Sequence, residues 1–396
     1  MKKLLLVVFA FASTSVSAQH SDTAKKSNWY DKISLRGYLQ VRYNRLAETN
    51  EKLKNEQGDK SWGENGGIFI RRMRVVFSGQ LSERVYFYIQ PDFASSASST
   101  ALNFAQLRDA YLDFGIDKKS EFRLRIGQSK IPYGFENMQS SQNRLPLDRN
   151  DALNSAVANE RDLAAFFYWA PSSVRKLYSH LVSDGLKGSG DYGVFGFGVY
   201  NGQTANKPDL NNELHVVARA TYPFHIGKQI IEPGLQAYTG RFVIPTDQLT
   251  AGVKTTKDRN YLDQRAAATF VLYPQPFGIQ AEYNIGRGPE FDKNSDSIET
   301  KNLSGGYITM CYLMKMKSQV VIPFCRMHMY QGGKKHELDA RSYDVKEFEA
   351  GIEWQPMKNF ELTAMYTISE RRFEDYKLQE NPQKGNLLRL QAQLNF

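Results

Sequence analysis

A two-residue rhythm of apolar and polar side chains runs from Ile33 to the last residue of this chain. It constrains the fold more than any other feature, because a period of two belongs to strands and a period of 3.6 to helices. In 33–44, Ile33, Leu35, Gly37, Leu39, Val41 and Tyr43 alternate with Ser34, Arg36, Tyr38, Gln40, Arg42 and Asn44. In 69–80, Phe69, Met73, Val75 and Phe77 alternate with Arg72, Arg74, Ser78 and Gln80. The same pattern recurs at 85–93, 109–114 and 122–126, then at 161–170, 192–200, 213–223, 229–243, 261–273 and 277–286. It continues at 303–314, 319–330, 345–355, 359–369 and 387–396. About 16 strands are expected; 171–190 shows no clear pattern, and an extension of the sixth strand into it is left open.

The connections alternate in length. Short turns fall at 80–84, 115–120, 223–228, 274–277, 315–318 and 356–359; polar loops fall at 46–66, 132–160, 200–212, 244–260, 287–301, 331–343 and 371–386. Short turns at one end and long loops at the other are the layout of a transmembrane β-barrel. In lipid no backbone amide can stay unpaired, so such a sheet must close. The last strand ends on Phe396, on the same face as Leu388, Leu390 and Leu394. A soluble β-sandwich also alternates. Three features favour apolar side chains outward: bulky charges on the polar face of nearly every strand, which a dry core could not hold unpaired; aromatics at strand ends (Tyr43, Tyr88, Phe93, Tyr168, Trp169, Tyr273, Trp354, Tyr366); and more strands than a sandwich needs.

The N-terminus has Lys2 and Lys3, an apolar run from Leu4 to Ala12, and the small residues Val16 and Ala18. This is the order of a secretory signal peptide cut after Ala18. Its loss removes two lysines and no acid, so the net charge falls from +9 to +7. The expected domains are thus a signal peptide, 1–18, and one barrel, 19–396. No later stretch reaches 18 apolar residues, which excludes a helical membrane protein. A mean hydropathy of −0.51 beside 22 Tyr and 24 Phe fits a wet interior and a greasy exterior. The two cysteines, Cys311 and Cys325, lie symmetrically about a turn near Ser318. They either face each other across a hairpin or stay unpaired.

With apolar side chains outward, the interior receives Arg36, Arg42, Arg72, Arg74, Arg84, Arg123, Arg125, Arg219, Arg265, Arg326 and Arg389, and the acids Asp92, Asp109, Asp113, Glu232, Glu282, Glu347, Glu349, Glu353 and Glu361. Arginine dominates the first three strands and the fifth; acids dominate the fourteenth and fifteenth. Guanidinium forks suit phosphate and carboxylate oxygens, so an arginine column over a constriction would select anions. The alternative is that these arginines pair with Asp92, Asp109 and Asp113 and stiffen the wall. The loop 132–160 carries enough apolar residues (Tyr133, Phe135, Met138, Leu145) to fold inward and narrow a pore, or else stays on the surface. The six histidines form no metal spacing, no nucleophile elbow or phosphate-binding glycine loop occurs, and the arginines follow strand parity rather than one patch. Enzyme, cofactor-binding and nucleic-acid-binding roles are therefore set aside.

Several stretches resemble the phosphate-selective porin O and P family: Arg71-Arg-Met-Arg-Val-Val-Phe-Ser-Gly, Ala110-Tyr-Leu-Asp-Phe, Leu124-Arg-Ile-Gly-Gln-Ser-Lys-Ile-Pro-Tyr-Gly-Phe-Glu and Val199-Tyr-Asn-Gly-Gln. The resemblance covers most of the chain and is strongest over 33–202. It implies an all-β, 16-stranded antiparallel barrel in the outer membrane of a Gram-negative bacterium. It also implies a homotrimer, with the third loop folded into the lumen and an arginine-lined path for small anions such as phosphate. Carried over by residue, it implies that Arg72 or Arg71 belongs to a basic pair on the second strand. Asp92 would lie beside the constriction, with Arg123, Arg125, Lys130, Ser140 and Ser141 near the narrow zone. The expected pore-lining set is thus Arg36, Arg42, Arg72, Arg74, Asp92, Arg123, Arg125, Lys130, Ser140 and Ser141. Glu347, Glu349 and Glu353 depart from a strongly basic pore. A general, weakly selective porin and a secreted soluble β-rich ligand-binding protein are the alternatives.

Overall fold

The computed structural model describes residues 29–48, 67–93, 103–157 and 161–396. The signal-peptide expectation and most of the loop 46–66 lie outside them. The first strands are β1 (Ile33–Glu48), β2 (Gly67–Ser82), β3 (Val85–Asp92), β4 (Gln106–Gly115), β5 (Phe122–Lys130), β6 (Arg161–Trp169) and β7 (Phe195–Tyr200). Next comes β8 (His215–Thr221, resumed at Phe224–Ile226), then β9 (Gln229–Val243), β10 (Asn260–Leu272) and β11 (Phe277–Asp292). The last are β12 (Ser297–Tyr312, resumed at Met314–Met316), β13 (Gln319–Gly333), β14 (Ser342–Met357), β15 (Phe360–Glu374) and β16 (Pro382–Asn395). Each pairs antiparallel with its neighbours, and β1 pairs with both β2 and β16, so the sixteen strands form a closed barrel.

The seam is sealed by the chain's last residue. Gly37 N–H donates to the Phe396 carbonyl at 2.7 Å, and Phe396 N–H donates back at 3.0 Å. Gly37 has no alternative here: a Cβ would lie 2.6 Å from the Phe396 ring and 2.4 Å from the Arg74 carbonyl.

Side-chain exposure decides between barrel and sandwich. Leu35, Leu235 and Met327 are 63%, 67% and 61% exposed, whereas Arg42 and Arg326 on the other face are 1% exposed. The apolar face looks out and the charged face looks in, the reverse of a soluble sheet. Of the expected aromatic ends, Trp354 and Tyr366 are exposed, whereas Tyr168 and Tyr273 are fully buried.

The structure changes three expectations. Loop 287–301 is mostly strand: β11 runs to Asp292, β12 begins at Ser297, and β13 to β16 likewise extend into their expected loops. Outside the hydrocarbon both faces of a strand meet water, so a ladder there needs no alternation. The obscure 171–190 contains an α-helix. Finally, Cys311 is opposite Phe324 and Cys325 is opposite Met310, so the cysteines point to opposite faces, and both thiols are free.

Among the described residues three α-helices interrupt the strands: α1 (Phe135–Met138) and α2 (Asp151–Ala156) between β5 and β6, and α3 (Ser172–Ser183) between β6 and β7. Asn150 caps α2, accepting the Leu153 N–H at 3.0 Å. At Gly134, which opens α1, φ is +78° and a Cβ would meet Leu153 at 2.4 Å, so only glycine fits.

Candidate functional site: the inner wall and its arginines

Two β-bulges change the inner wall in a way that period two does not reveal. Gln40 pairs with Arg72 but Val41 pairs with Ile70, which leaves Arg71 as an extra residue. Arg71 and Arg72 therefore both turn inward, and Arg71 reaches Asp148 at 3.4 Å. Between β3 and β4, Gln90 pairs with Asp109 and Pro91 with Leu107, so Arg108 is the extra residue. It turns inward beside Asp109 and lies 3.8 Å from Asp92.

The expected residues separate into three places. Arg72, Arg74, Asp92 and Ser141 meet. Arg74 donates to Asp92 at 2.8 Å, to the Tyr38 hydroxyl at 2.8 Å and to Ser141 Oγ at 3.3 Å, while Arg72 donates to Gln40 Oε1 at 2.9 Å. Tyr38 and Ser141 share a 2.6 Å hydrogen bond. Ser140 is half-buried beside them. Lys130 donates to the carbonyls of Met138 and Gln139 at 3.1 and 2.9 Å.

Arg36, Arg123 and Arg125 lie toward the short-turn end. Arg125 grips Asp113 with two bonds of 2.7 and 2.8 Å and stacks 3.9 Å over the Tyr111 ring. Tyr111 stacks on Tyr88 at 5.2 Å, and Arg36 lies 5.8 Å from Tyr88, exposed. Arg123 pairs with Asp191 at 2.7 Å. Arg42 lies nearer the long loops, bonded to Asp148 at 2.9 Å and to the Leu147 carbonyl.

Residues 132–157 are bonded to inward side chains from strands all round the barrel. Gly134 N–H donates to Gln236 on β9, Phe135 N–H to Glu282 on β11, and the Tyr133 hydroxyl to Asn284. Glu136 accepts from Arg326 on β13 at 2.8 Å. Asp148 accepts from Arg42 on β1 and from Arg389 on β16 at 2.6 Å. Asp151 accepts from Arg371 on β15 at 2.6 Å and from Lys334 at 2.5 Å. Ser155 accepts from Arg265 on β10 at 2.6 Å. Asp151, His328 and Glu347 cluster closely enough to suggest metal ligands. Arg371 and Lys334 already bond those carboxylates, so the cluster is a compensated ion network.

A column of free arginines is therefore not what the wall carries. Arg74 has Asp92, Arg125 has Asp113, Arg161 has Asp109 at 2.9 Å, and Arg326 has Glu136 and Glu349. Arg74 and Arg125 thus pair with Asp92 and Asp113, two of the three acids the alternative expectation named for them. The acids that looked out of place are neutralised as well: Glu347 by Arg371, Glu349 by Arg326 and Arg389, and Glu353 by Lys187. Unpaired buried charge is costly, which explains the pairing.

The exception is local. Arg144 is 5% exposed, and among the described residues none of its three guanidinium nitrogens has a hydrogen-bond partner. Arg149 beside it has Arg144, Arg72, Arg161 and Arg108 as charged neighbours. Sequence reading placed none of Arg108, Arg144, Arg149 and Arg161 in the pore lining. Arg108 is masked by a bulge, and the loop arginines follow no strand parity. Val199-Tyr-Asn-Gly-Gln has a structural role: Asp162 accepts the Gly202 and Thr204 N–H groups at 2.8 and 3.1 Å and folds the turn back onto β6.

The outer-membrane channel DcaP of Acinetobacter baumannii has a similar structure, at TM-score 0.56 and 13% identity over 92% of this chain and 97% of that one. OmpF of Salmonella typhi in complex with daunomycin gives 0.55 and 12%, over 92% and 97%. An anion-selective porin from Comamonas acidovorans gives 0.52 and 8%, over 92% and 99%. No curated protein matches the chain. The family model for phosphate-selective porin O and P matches residues 51–396. Closed barrel, inward charge and family match agree, and the chain belongs to the phosphate-selective porin O and P family, outer-membrane channels of Gram-negative bacteria.

Proposed function

We propose that this porin passes small anions by diffusion and favours phosphate, through a passage that residues 132–157 narrow against the wall of β1 to β6. The carrying observation is the arginine cluster around Arg72 and Arg144: Arg144 donates no hydrogen bond among the described residues, and its nearest acids, Glu136 and Asp148, are already bonded to Arg326 and to Arg42 and Arg389. Two like charges 4 Å apart repel by about 4 kcal/mol at an effective dielectric of 20, and a transient anion relieves that repulsion. Forked guanidinium donors match phosphate oxygens. Arg36, Arg42, Arg72, Arg74, Asp92, Arg123, Arg125, Lys130, Ser140 and Ser141 form the proposed lining, to which Arg71, Arg108 and Arg144 are added. A homotrimer in outer-membrane lipid, formed after cleavage of residues 1–18, completes the proposal. The name of the Comamonas acidovorans relative, an anion-selective porin, supports the preference.

The pairing of most inner arginines favours a second reading, a weakly selective general porin. Reversal potentials in planar bilayers decide. In a potassium chloride gradient the protein is expected to prefer anions, and added phosphate to reduce chloride current at millimolar concentration or below. A cation preference defeats the proposal. Anion preference without phosphate block leaves the general porin.

A further inference from the structure

The segment between β6 and β7, residues 170–194, is far longer than the other short-turn connections, and its helix α3 turns one face toward the interior. Val174, Tyr178 and Leu181, spaced i, i+4, i+7, are buried with Leu186 against Phe135, Leu145 and Leu147 of the loop that carries α1 and α2.

Both ends of the segment are fastened on the β4–β5 side. Ser172 donates from its N–H and its hydroxyl to Glu121 at 2.9 and 2.6 Å. Arg175 donates to the Ser120 carbonyl at 2.7 Å, and Asp191 pairs with Arg175 and with Arg123 of β5. The middle reaches almost across the barrel. Lys187, buried, pairs at 2.6 Å with Glu353 of β14, which Gln355 also contacts. Lys187 has a φ of +62°, a conformation that costs a non-glycine residue on the order of 1 kcal/mol and persists only where contacts enforce it. Its carbonyl accepts Gln139 Nε2 at 2.7 Å, and the Gln139 carbonyl accepts Lys130 Nζ at 2.9 Å. A continuous line of bonds thus runs from Glu353 through Lys187 and Gln139 to Lys130, next to Ser140 and Ser141.

We infer that residues 170–194 are a brace that sets the width of the constriction, with Lys187 and Glu353 as positioning residues that act through Gln139. The inference rests on the porin reading above, because it concerns how that passage is held. The brace touches the narrowing loop from the short-turn side, whereas the loop's ion pairs hold it from the barrel wall. Cutting the Lys187–Glu353 pair leaves the wall contacts and the barrel ladder intact, so the loop gains freedom only where it faces the passage.

The test is single-channel conductance and reversal potential of the full-length protein in planar bilayers for Lys187→Glu, Glu353→Lys and the double exchange. Each single variant places like charges together; Lys187→Glu adds a third acid near Glu361, which also faces position 187. Each single change is expected to raise conductance by about twofold, with noisier open current and weaker ion selectivity, as expected when a narrow filter loosens. The double exchange is expected to restore the unmodified values. Heat-modifiable gel mobility, which reports the closed barrel, is expected to be the same in all four proteins. Restoration separates a specific pair from general destabilisation. Single variants that conduct like the unmodified protein overturn the brace, and so does a double exchange no closer to it than the singles. If the unmodified protein conducts no ions, the porin reading itself fails, a result distinct from either.

Discussion

The wall from β9 to β16 and the wall from β1 to β6 solve the same problem in different ways. The first is tall, with strands of 13 to 16 residues, and the inner arginines traced there all meet carboxylates: Arg265 with Asp263, Arg326 with Glu136 and Glu349, Arg371 with Glu347 and Asp151, and Arg389 with Asp148 and Glu349. In the second, β3 to β6 have only 8 to 10 residues. There two bulges add Arg71 and Arg108, and the adjoining loop adds Arg144 and Arg149. The proposed anion path rests on this local gathering of arginines rather than on arginine content alone.

The largest expected effect removes an acid shared by both walls. Asp148→Ala takes a carboxylate from Arg42 and Arg71 on one wall and from Arg389, which keeps Glu349, on the other; breaking such buried pairing costs about 3–5 kcal/mol. The temperature at which the folded gel band disappears should fall sharply. An unchanged temperature would show that those arginines are hydrated, so the two walls would not differ.

Next comes selectivity. Arg144→Ala and Arg72→Ala are each expected to cut the anion-to-cation permeability ratio several-fold, by roughly the 1 kcal/mol of one partly screened charge. Arg371→Gln, on the paired wall, is expected to leave the reversal potential unchanged. Equal shifts from both walls would dissolve the distinction.

A smaller effect depends on pH. Burial opposes ionisation of Asp191, but Arg123 and Arg175 outweigh it and hold the carboxyl below the usual aspartate range. A lowered folded-state pKa gives stability that is present above the unfolded value, about 4, and is lost as pH falls through the folded one. Protonation as pH falls through that lowered value should therefore loosen the β6–β7 segment and lower the melting temperature by a few degrees. Asp191→Asn should lack that acid-side step; if the step persists, another group is responsible.

The smallest effect is chemical. Cys325 shares the outward face with Met310, and Cys311 the inward face with Phe324. A lipid-soluble maleimide should label Cys325 first; preference for Cys311 would reverse the facing of β12 and β13.

The barrel was legible in the sequence because lipid outside and water inside force alternation on every spanning residue: all sixteen expected strands appear within a few residues of their places. Legibility ended where those solvents stop acting. The extension of β11 to Asp292 lies beyond the apolar band. Helix α3 showed a weak signal, Val174, Tyr178 and Leu181 following Pro171, lost among alternating strands. Arg74 bonds two other residues of the expected lining, Asp92 and Ser141, which strand parity and the resemblance had put on the same inner face. The partners of Arg42 and Arg389 were not foreseeable, because Asp148 reaches them from more than 100 residues away along the chain and strand parity says nothing about such contacts.

The bulge at Arg71 also bears on how such a wall can vary. Ile70 already faces out and Arg72 in, so losing position 71 would leave a regular ladder with every other side chain where it was. The same holds for Arg108, between Leu107 and Asp109. Insertion or deletion of a single codon at either point would add or remove one full positive charge, a stepwise dial for ionic preference that works without replacing any neighbouring amino acid.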